Sequence, residues 1–410
     1  MMSPKSEAPT QRYQQKREVV LSQAALLFNE QGLKSATLAS IAEGVGLATN
    51  SLTYYYRKKE DLAQACLLRS AAAYDQVVVA ALGHAQPADR LRAYLQGHVA
   101  LLAAIARGDH PPLMYFSDTR ALPGPQAKQV FDAYADLFRH VRDVLRASHL
   151  PLVRDALNAR AHVLLSVVNW MGPWLLEAYE VDEYLRVADG IADLLIHGLG
   201  ATGRASQAVP LITGWEPQPH ADATSEAFLR TATWLLNEHG YRGASVDNIA
   251  AHLNRSKGAF YHHHDHKQDL IAACFERTFD FMRQALSLAQ QAPGPGLDRA
   301  YSAALAITQV QVSPQGPLLY SSAFSALPSR AHRLQASRAL RKLSSRITAL
   351  LVEGLRDGSV RPLDGAMAAQ VLTAGITGGA VLRHWTAKPE AAVELFVRPM
   401  FDGLLCPPVD

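Results

Sequence analysis

The sequence predicts an all-α protein made of two tandem units of one design, each a helix-turn-helix head followed by a helical body. Three observations carry this. Residues 41–62, IAEGVGLATNSLTYYYRKKEDL, return without a gap as IAAHLNRSKGAFYHHHDHKQDL at 249–270, so Ile41 and Ile249 stand 208 positions apart, as do Gly32 and Gly240. PLMYFSDTRALP from Pro112 returns as PLLYSSAFSALP from Pro317, 205 positions on, so the duplication reaches beyond the heads. Outside these stretches apolar residues fall at helical spacing between Pro and Gly breaks, with no sustained alternation of period two. The period is far longer than that of a solenoid repeat and marks a duplicated domain.

Length and composition agree. The chain has 410 residues, which exceeds a usual single core. It is 49% hydrophobic and 19% charged, ordinary for a globular protein. A net charge of only +3 argues against an all-over basic coat and leaves room for local basic patches. Cys66, Cys274 and Cys406 form no C-x-x-C pair, and the first two are repeat equivalents, expected to pack at one buried helix position. The N-terminal residues lack the apolar core of a secretory signal, and the apolar run at 163–176 is shorter than the roughly 18 residues of a membrane span. The expectation is a cytoplasmic protein without membrane contact.

In chain order, residues 1–11 read as a disordered tail. Val19, Val20, Leu21, Ala24, Leu27 and Phe28 mark one face of a first helix, with Gly32 as its stop. Thr37 is placed to cap a short second helix, as is Ser245 in the second copy; neither has Glu or Gln three residues on, so no full capping box is expected. A tight turn over 44–47 leads into a third short helix over about 48–55, and Lys59 opens a longer fourth. Helical segments then follow at roughly 88–107, 126–148, 152–179 and 183–199. Residues 200–221, with Gly203, Pro210, Gly214, Pro217 and Pro219, read as a linker able to stretch over about 60–70 Å. The expected division is 12–62 and 222–270 for the heads, and 63–199 and 271–410 for the bodies.

Two short helices joined by a tight turn and locked by Leu38, Ile41, Ala42, Val45, Leu47 and Leu52 make a helix-turn-helix; Val246, Ile249, Ala250, Leu253 and Phe260 do so in copy two. With the long preceding helix, the aromatic cluster and the Lys-x-Asp-Leu ending, each copy resembles the TetR/AcrR family of bacterial transcription regulators over about 50 residues. The second copy keeps the family's Ser256, Gly258, Tyr261 and Lys267. The first keeps Leu47, Leu52, Tyr55 and Lys59, but has Ala48, Asn50 and Thr53 where Ser, Gly and Tyr are usual.

The resemblance implies double-stranded operator DNA as partner, with the N-terminal end of the third helix facing base edges. Thr49, Asn50 and Ser51 are then the readers in copy one; Ser256, Lys257, Gly258 and Ala259 are those in copy two. Tyr54, Tyr55, Lys59, Tyr261, His262, His263 and Lys267, with the capped ends at Thr37 and Ser245, fall to the phosphates. Tyr56 and His264 read as partly core. The heads differ at nearly every reading position, so two units paired within one chain imply an asymmetric operator.

The resemblance also implies a small-molecule pocket in each body and pairing through two late helices. Tyr115, Phe116, Phe131, Trp170, Met171 and Trp174 are candidate lining in the first body, and Tyr320, Phe324 and Trp385 in the second. Few charged residues fall among them, which favours an apolar or aromatic effector. Pairing is expected to set 153–178 and 183–199 against 365–386 and 390–405, with Gly375, Gly378 and Gly379 allowing close approach. The histidine tract at 262–266 has metal-site composition, but its first three members replace Tyr54, Tyr55 and Tyr56, so no metal or cofactor is expected. GLGATG at 198–203 matches a dinucleotide fingerprint but follows a helix instead of a strand. No catalytic constellation is present in the sequence. The expected function is an effector-responsive repressor; the alternatives are an activator or architectural DNA-binding protein, or a ligand- or metal-binding protein with one decayed head.

Overall fold

The computed structural model describes residues 11–116, 122–147, 152–219, 222–258, 266–319, 329–379 and 389–407, with Leu327 and Leu382. Its described elements are helices, with an isolated antiparallel bridge between Gly200 and Val360. The first head comprises α1 (Gln11–Ser35), α2 (Leu38–Gly44), α3 (Thr49–Thr53) and the start of α4 (Lys59–Ala81). Its body continues with α5 (Pro87–Arg107), α6 (Gly124–Leu145), α7 (Arg154–Ala178) and α8 (Tyr184–His197). After the single turn α9 (Pro210–Thr213), the second unit repeats the order with α10 (Ala223–Gly243), α11 (Val246–His252), α12 (Lys267–Gln291), α13 (Gly296–Val312), α14 (Arg330–Asp357), α15 (Gly365–Gly378) and α16 (Pro389–Asp402). The kink glycines also match: Gly32 at φ 74° and Gly240 at φ 63° bend α1 and α10 at equivalent positions.

One set of side chains bolts each head to its body. On α4, Arg69 donates to the Pro112 carbonyl at 2.6 Å and to Glu18 of α1 at 3.0 Å. The Ser70 hydroxyl accepts from the Met114 amide at 2.9 Å, and the Asn29 amide group of α1 donates to the Leu113 carbonyl at 2.8 Å. In the second unit Arg277 donates to Pro317 at 3.0 Å and to Glu226 at 2.8 Å. Thr278 accepts from the Leu319 amide at 3.1 Å, and Asn237 donates to Leu318 at 2.8 Å. The strap that follows the fifth helix is thus tied to the first and fourth helices by the same chemistry twice. Its extended backbone has no helical partners of its own, so these bonds satisfy groups whose burial unpaired would be costly. Cys66 and Cys274 occupy equivalent buried positions, with thiols 3.5 Å from the carbonyls of Leu21 and Leu229, and burial pushes both up to about 12, far from thiolate reactivity.

The two units meet where α7 and α8 pack on α15 and α16. Close approach needs small residues: a Cβ on Gly378 would lie 2.1 Å from Ser166 Oγ across the seam, and one on Gly190 would lie 2.7 Å from Met367 Sδ. Gly375 and Gly379 serve a different contact, with Met400 and with Thr308 and Phe396 inside the second body. Polar bonds close the seam where α8 and α16 end. Buried Arg160 donates to the carbonyls of Leu404 at 3.0 Å and Cys406 at 2.9 Å. Arg361 donates to the Gly198 carbonyl at 2.8 Å and to the Asp193 carboxylate at 2.6 Å, while the backbone of Leu199 and Leu404 bonds to Phe401 and Leu195.

The connecting segment differs from the extended tether that its Pro and Gly content suggests. Residues 200–219 lie along the second body. Arg204 pairs with buried Asp298 at 2.6 Å, the Gln207 amide donates to the same carboxylate, and the Val209 amide donates to Ser302 Oγ at 2.7 Å. Ile212 is fully buried. The proline content limits helix to the single turn α9, and other backbone groups find side-chain partners on α13. Residues 1–10 of the expected tail lie outside the described residues. No described helix is long and apolar enough to cross a membrane.

Arg160 gives the seam a direct test. Replacing it by Ala takes this donor from the carbonyls of buried Leu404 and half-buried Cys406, and Arg160→Ala is expected to lower the unfolding free energy by about 3 kcal/mol in urea titration. An unchanged midpoint contradicts the assignment.

Candidate nucleic-acid interface and body core

The first head is built from a capped helix and a tight turn. Thr37 Oγ1 accepts from the Ser40 amide at 3.0 Å while Ser40 Oγ accepts from the Thr37 amide at 3.1 Å. This reciprocal box, unexpected without Glu or Gln, works because Ser is long enough to reach back one turn. The turn closes through Leu47, whose amide donates to the Ala42 carbonyl at 2.9 Å, and Gly46 supplies the left-handed φ of 66°. The second head makes the same turn without glycine. Asn254, the counterpart of Gly46, takes φ 50°, and the Arg255 amide donates to the Ala250 carbonyl at 3.0 Å. Asn tolerates this region better than other non-glycine residues.

In α3 the N-cap is Ala48, with no side-chain cap, and Thr49 lies inside the helix. Thr37, Thr49, Asn50 and Ser51 are exposed together, while Leu52 on the opposite face is fully buried. Tyr54 is 76% exposed. Tyr55 stacks on Tyr13 of α1 with centroids 4.9 Å apart, and Tyr54 meets both rings edge-on. Tyr13 is not among the sequence candidates; it is separated from the motif by most of α1. Tyr56 is core, as expected, and burial pushes its phenol up to about 12. Lys59 departs from a purely phosphate-facing role: its ammonium donates to the Ala36 carbonyl at 2.8 Å, tying the start of α4 to the α1–α2 corner.

In the second head Ser245 Oγ accepts from the Asn248 amide at 3.1 Å. Ser256, Lys257 and Gly258 are exposed at the start of the third helix. Lys257 Nζ pairs with Asp247 at 2.7 Å, both more than half exposed. Such an exposed pair is weak and leaves the lysine available to a competing anion. Lys267 opens α12 and is half-buried. Ala259, Tyr261, His262, His263 and His264 lie outside the described residues, as does most of the histidine tract. Among the described residues no cluster of three His, Cys, Asp or Glu side chains is placed to hold a metal.

The body candidates separate. Phe131 is 70% exposed on α6 and lines nothing, because its helix turns that position to solvent. Trp170 belongs to the seam between units: its indole N–H donates to Gln370 at 3.0 Å. Trp174 meets Tyr179 edge-on, and Met171 is fully buried. Tyr115 and Phe116 do face inward from the strap, half-buried. A Cβ on Gly172 would lie 3.4 Å from the Tyr115 ring. Tyr320, Phe324 and Trp385 lie outside the described residues.

Inside the first body stands a polar group that sequence reasoning does not single out. Buried His98 of α5 has ring neighbours Tyr74 at 5.4 Å and Tyr94 at 6.5 Å, and Phe116 links Tyr74 to Tyr134. Desolvation drives His98 and His162 down to about 4 and raises the phenols of Tyr74, Tyr94 and Tyr134. Aromatic residues in helices read first as packing, so only their convergence in space distinguishes these.

Two heads, each exposed at the start of its third helix and each followed by a body whose described elements are helices, define the class: a tandem helix-turn-helix protein. The profile of the family described as bacterial regulatory proteins, tetR family, matches residues 20–66 and 228–274, one match in each head. The chain thus carries two segments characteristic of this tetR family in tandem. It is 35% identical over 60 residues to the transposon Tn10 TetC protein of Escherichia coli, covering 15% of this chain and 30% of that protein. It is 26% identical over 76 residues to the biofilm operon icaADBC HTH-type negative transcriptional regulator IcaR of Staphylococcus aureus (strain Newman), covering 18% and 41%. The chain thus spans less than half the length of either relative. The crystal structure of the TetR family transcriptional regulator PfmR from Thermus thermophilus is similar at 20% identity and a TM-score of 0.34, covering 43% of this chain and 95% of that one.

The buried histidines set a pH dependence. Their pKa is about 4 when folded against an ordinary 6.5, so the unfolded chain takes up protons first as pH falls. Their contribution to stability is complete above about pH 6.5 and is lost progressively towards pH 4. The urea midpoint of unfolding is expected to drop across that window; a midpoint that stays level or rises contradicts the neutral, buried state of both rings.

Proposed function

We propose that the chain is a DNA-binding transcription regulator that acts as a single-chain pseudo-dimer, represses from an asymmetric operator and releases it when an effector enters a body. The observation that carries this reading is the pairing of two unlike heads by one covalent chain through the seam of α7 and α8 with α15 and α16. A homodimer of this type reads a palindrome because its heads are identical. Here Thr49-Asn50-Ser51 stands where the other head has Lys257-Gly258-Ala259. Asn suits adenine and Lys suits the N7 and O6 of guanine, so the two half-sites call for different bases. Lys59 and Lys267 open the fourth helices, and Thr37 and Ser245 cap the helices before the reading helices, residue types that suit contact with a phosphate backbone.

Release follows from the strap. Tyr115 reaches the body core with its side chain while its amide donates to Asn29 of α1 at 2.9 Å. A ligand that displaces the Tyr115 ring therefore pulls on the helix that carries the head. Heads that must sit about one DNA turn apart lose their register after a shift of a few ångströms, provided the ligand prefers the shifted state.

Selection of bound sequences from a random duplex pool is expected to return two dissimilar half-sites at a fixed spacing. Lys257→Ala should weaken binding and relax base preference in one half-site only, by about 1–3 kcal/mol. Recovery of a perfect palindrome, or equal loss at both half-sites, contradicts the reading.

A further inference from the structure

We infer that ligand is sensed by the first body alone, and that the ligand is a flat aromatic molecule bearing a hydrogen-bond donor, which it presents to Nδ1 of His98. This rests on the effector-responsive reading above and deepens it. His98 is 4% exposed, and its Nδ1 has no hydrogen-bond partner. Its other ring nitrogen donates to the Val168 carbonyl, and burial keeps the ring neutral, so Nδ1 is a pure acceptor. A buried acceptor without a donor keeps the cost of its desolvation uncompensated. Replacing the group by an apolar side chain would remove that cost, and the second unit has that replacement.

The comparison between units makes the case specific. Aligning the common Arg-Ala-Tyr of the fifth helices, at 92–94 and 299–301, sets His98 against Leu305. The equivalent cysteines of the fourth helices set Tyr74 against Met282, and the Ala-Leu-Pro before the sixth sets Tyr134 against Ala339. Met282 is buried, and Leu305 and Ala339 pack on the same hydrophobic core. One body therefore has aromatic walls around a lone acceptor, and the other has aliphatic packing at the same three places. Tyr74, Phe116 and Tyr134 pack on one another with centroids 6.0 and 5.2 Å apart, so a planar ligand enters by displacing one ring of this row and keeps aromatic contact with the others. The acceptor selects a hydroxyl or N–H over an ether of the same shape, because the ether leaves Nδ1 unpaired.

Isothermal titration of the full chain with 2-naphthol and with 2-methoxynaphthalene tests this. The expected result is one 2-naphthol per chain and an affinity for the ether lower by about tenfold or more. His98→Leu should fold with an unreduced thermal midpoint and bind both probes alike, and His98→Gln, which keeps an acceptor oxygen, should retain the preference. Two equivalents per chain, no binding of 2-naphthol, equal affinity of the native chain for both probes, or a preference that survives in His98→Leu would overturn the inference. The same titration on the chain bound to its selected operator separates the two claims. His98-dependent binding that leaves DNA affinity unmoved supports the site and rejects the effector-responsive reading.

Discussion

An arginine on the fourth helix of each unit ties the strap behind the fifth helix to the first helix of the head. Arg69 reaches Pro112 and Glu18; Arg277 reaches Pro317 and Glu226. The strap lacks regular backbone pairing, so its position depends on these side chains and on the asparagine and hydroxyl that complete each set. Through them, the head follows the body. The two sets are unequally dry. Arg277 is 3% exposed in its side chain and lies 4.7 Å over the Phe281 ring, whereas Arg69 is 18% exposed and its Nε has no partner. The wetter set belongs to the unit that holds His98.

The duplicated architecture has a second consequence. Two chains that pair must find each other, and their symmetry forces equal heads. One chain that pairs with itself escapes both conditions. Its seam is reinforced by bonds between the ends of the units: Arg160 holds the carbonyls of Leu404 and Cys406, and Arg361 holds Gly198 and Asp193. The connecting segment adds Arg204 on Asp298 and the buried Ile212. Once both units share one chain, their heads and cores are free to diverge, and Asn50 against Gly258 and His98 against Leu305 are such divergences.

Much of this is legible in the sequence because the chain contains its own comparison. The 208-residue offset yields the helix order, the turn and the equivalent cysteines without coordinates. Tyr56 is readable as core from its place at the end of the motif. What escapes is set by contacts distant in sequence. Tyr13 joins Tyr55 only when α1 folds back over α3. Trp170 and Phe131 carry the same aromatic signal as Phe116, but one faces the partner unit and the other faces solvent. The capping box uses Ser40, a shorter residue than the pattern requires. The segment at 200–219 reads as a loose tether by composition, and its order comes from Asp298 and Ser302, far along the chain on α13.

The central claim is that one chain contains both halves of a DNA reader. The mass of the protein–operator complex by multi-angle light scattering tests it most directly. The account predicts one chain of 44.6 kDa on each duplex carrying the selected site, with both half-sites protected. Two chains per duplex, each engaging a copy of the same half-site, would contradict it.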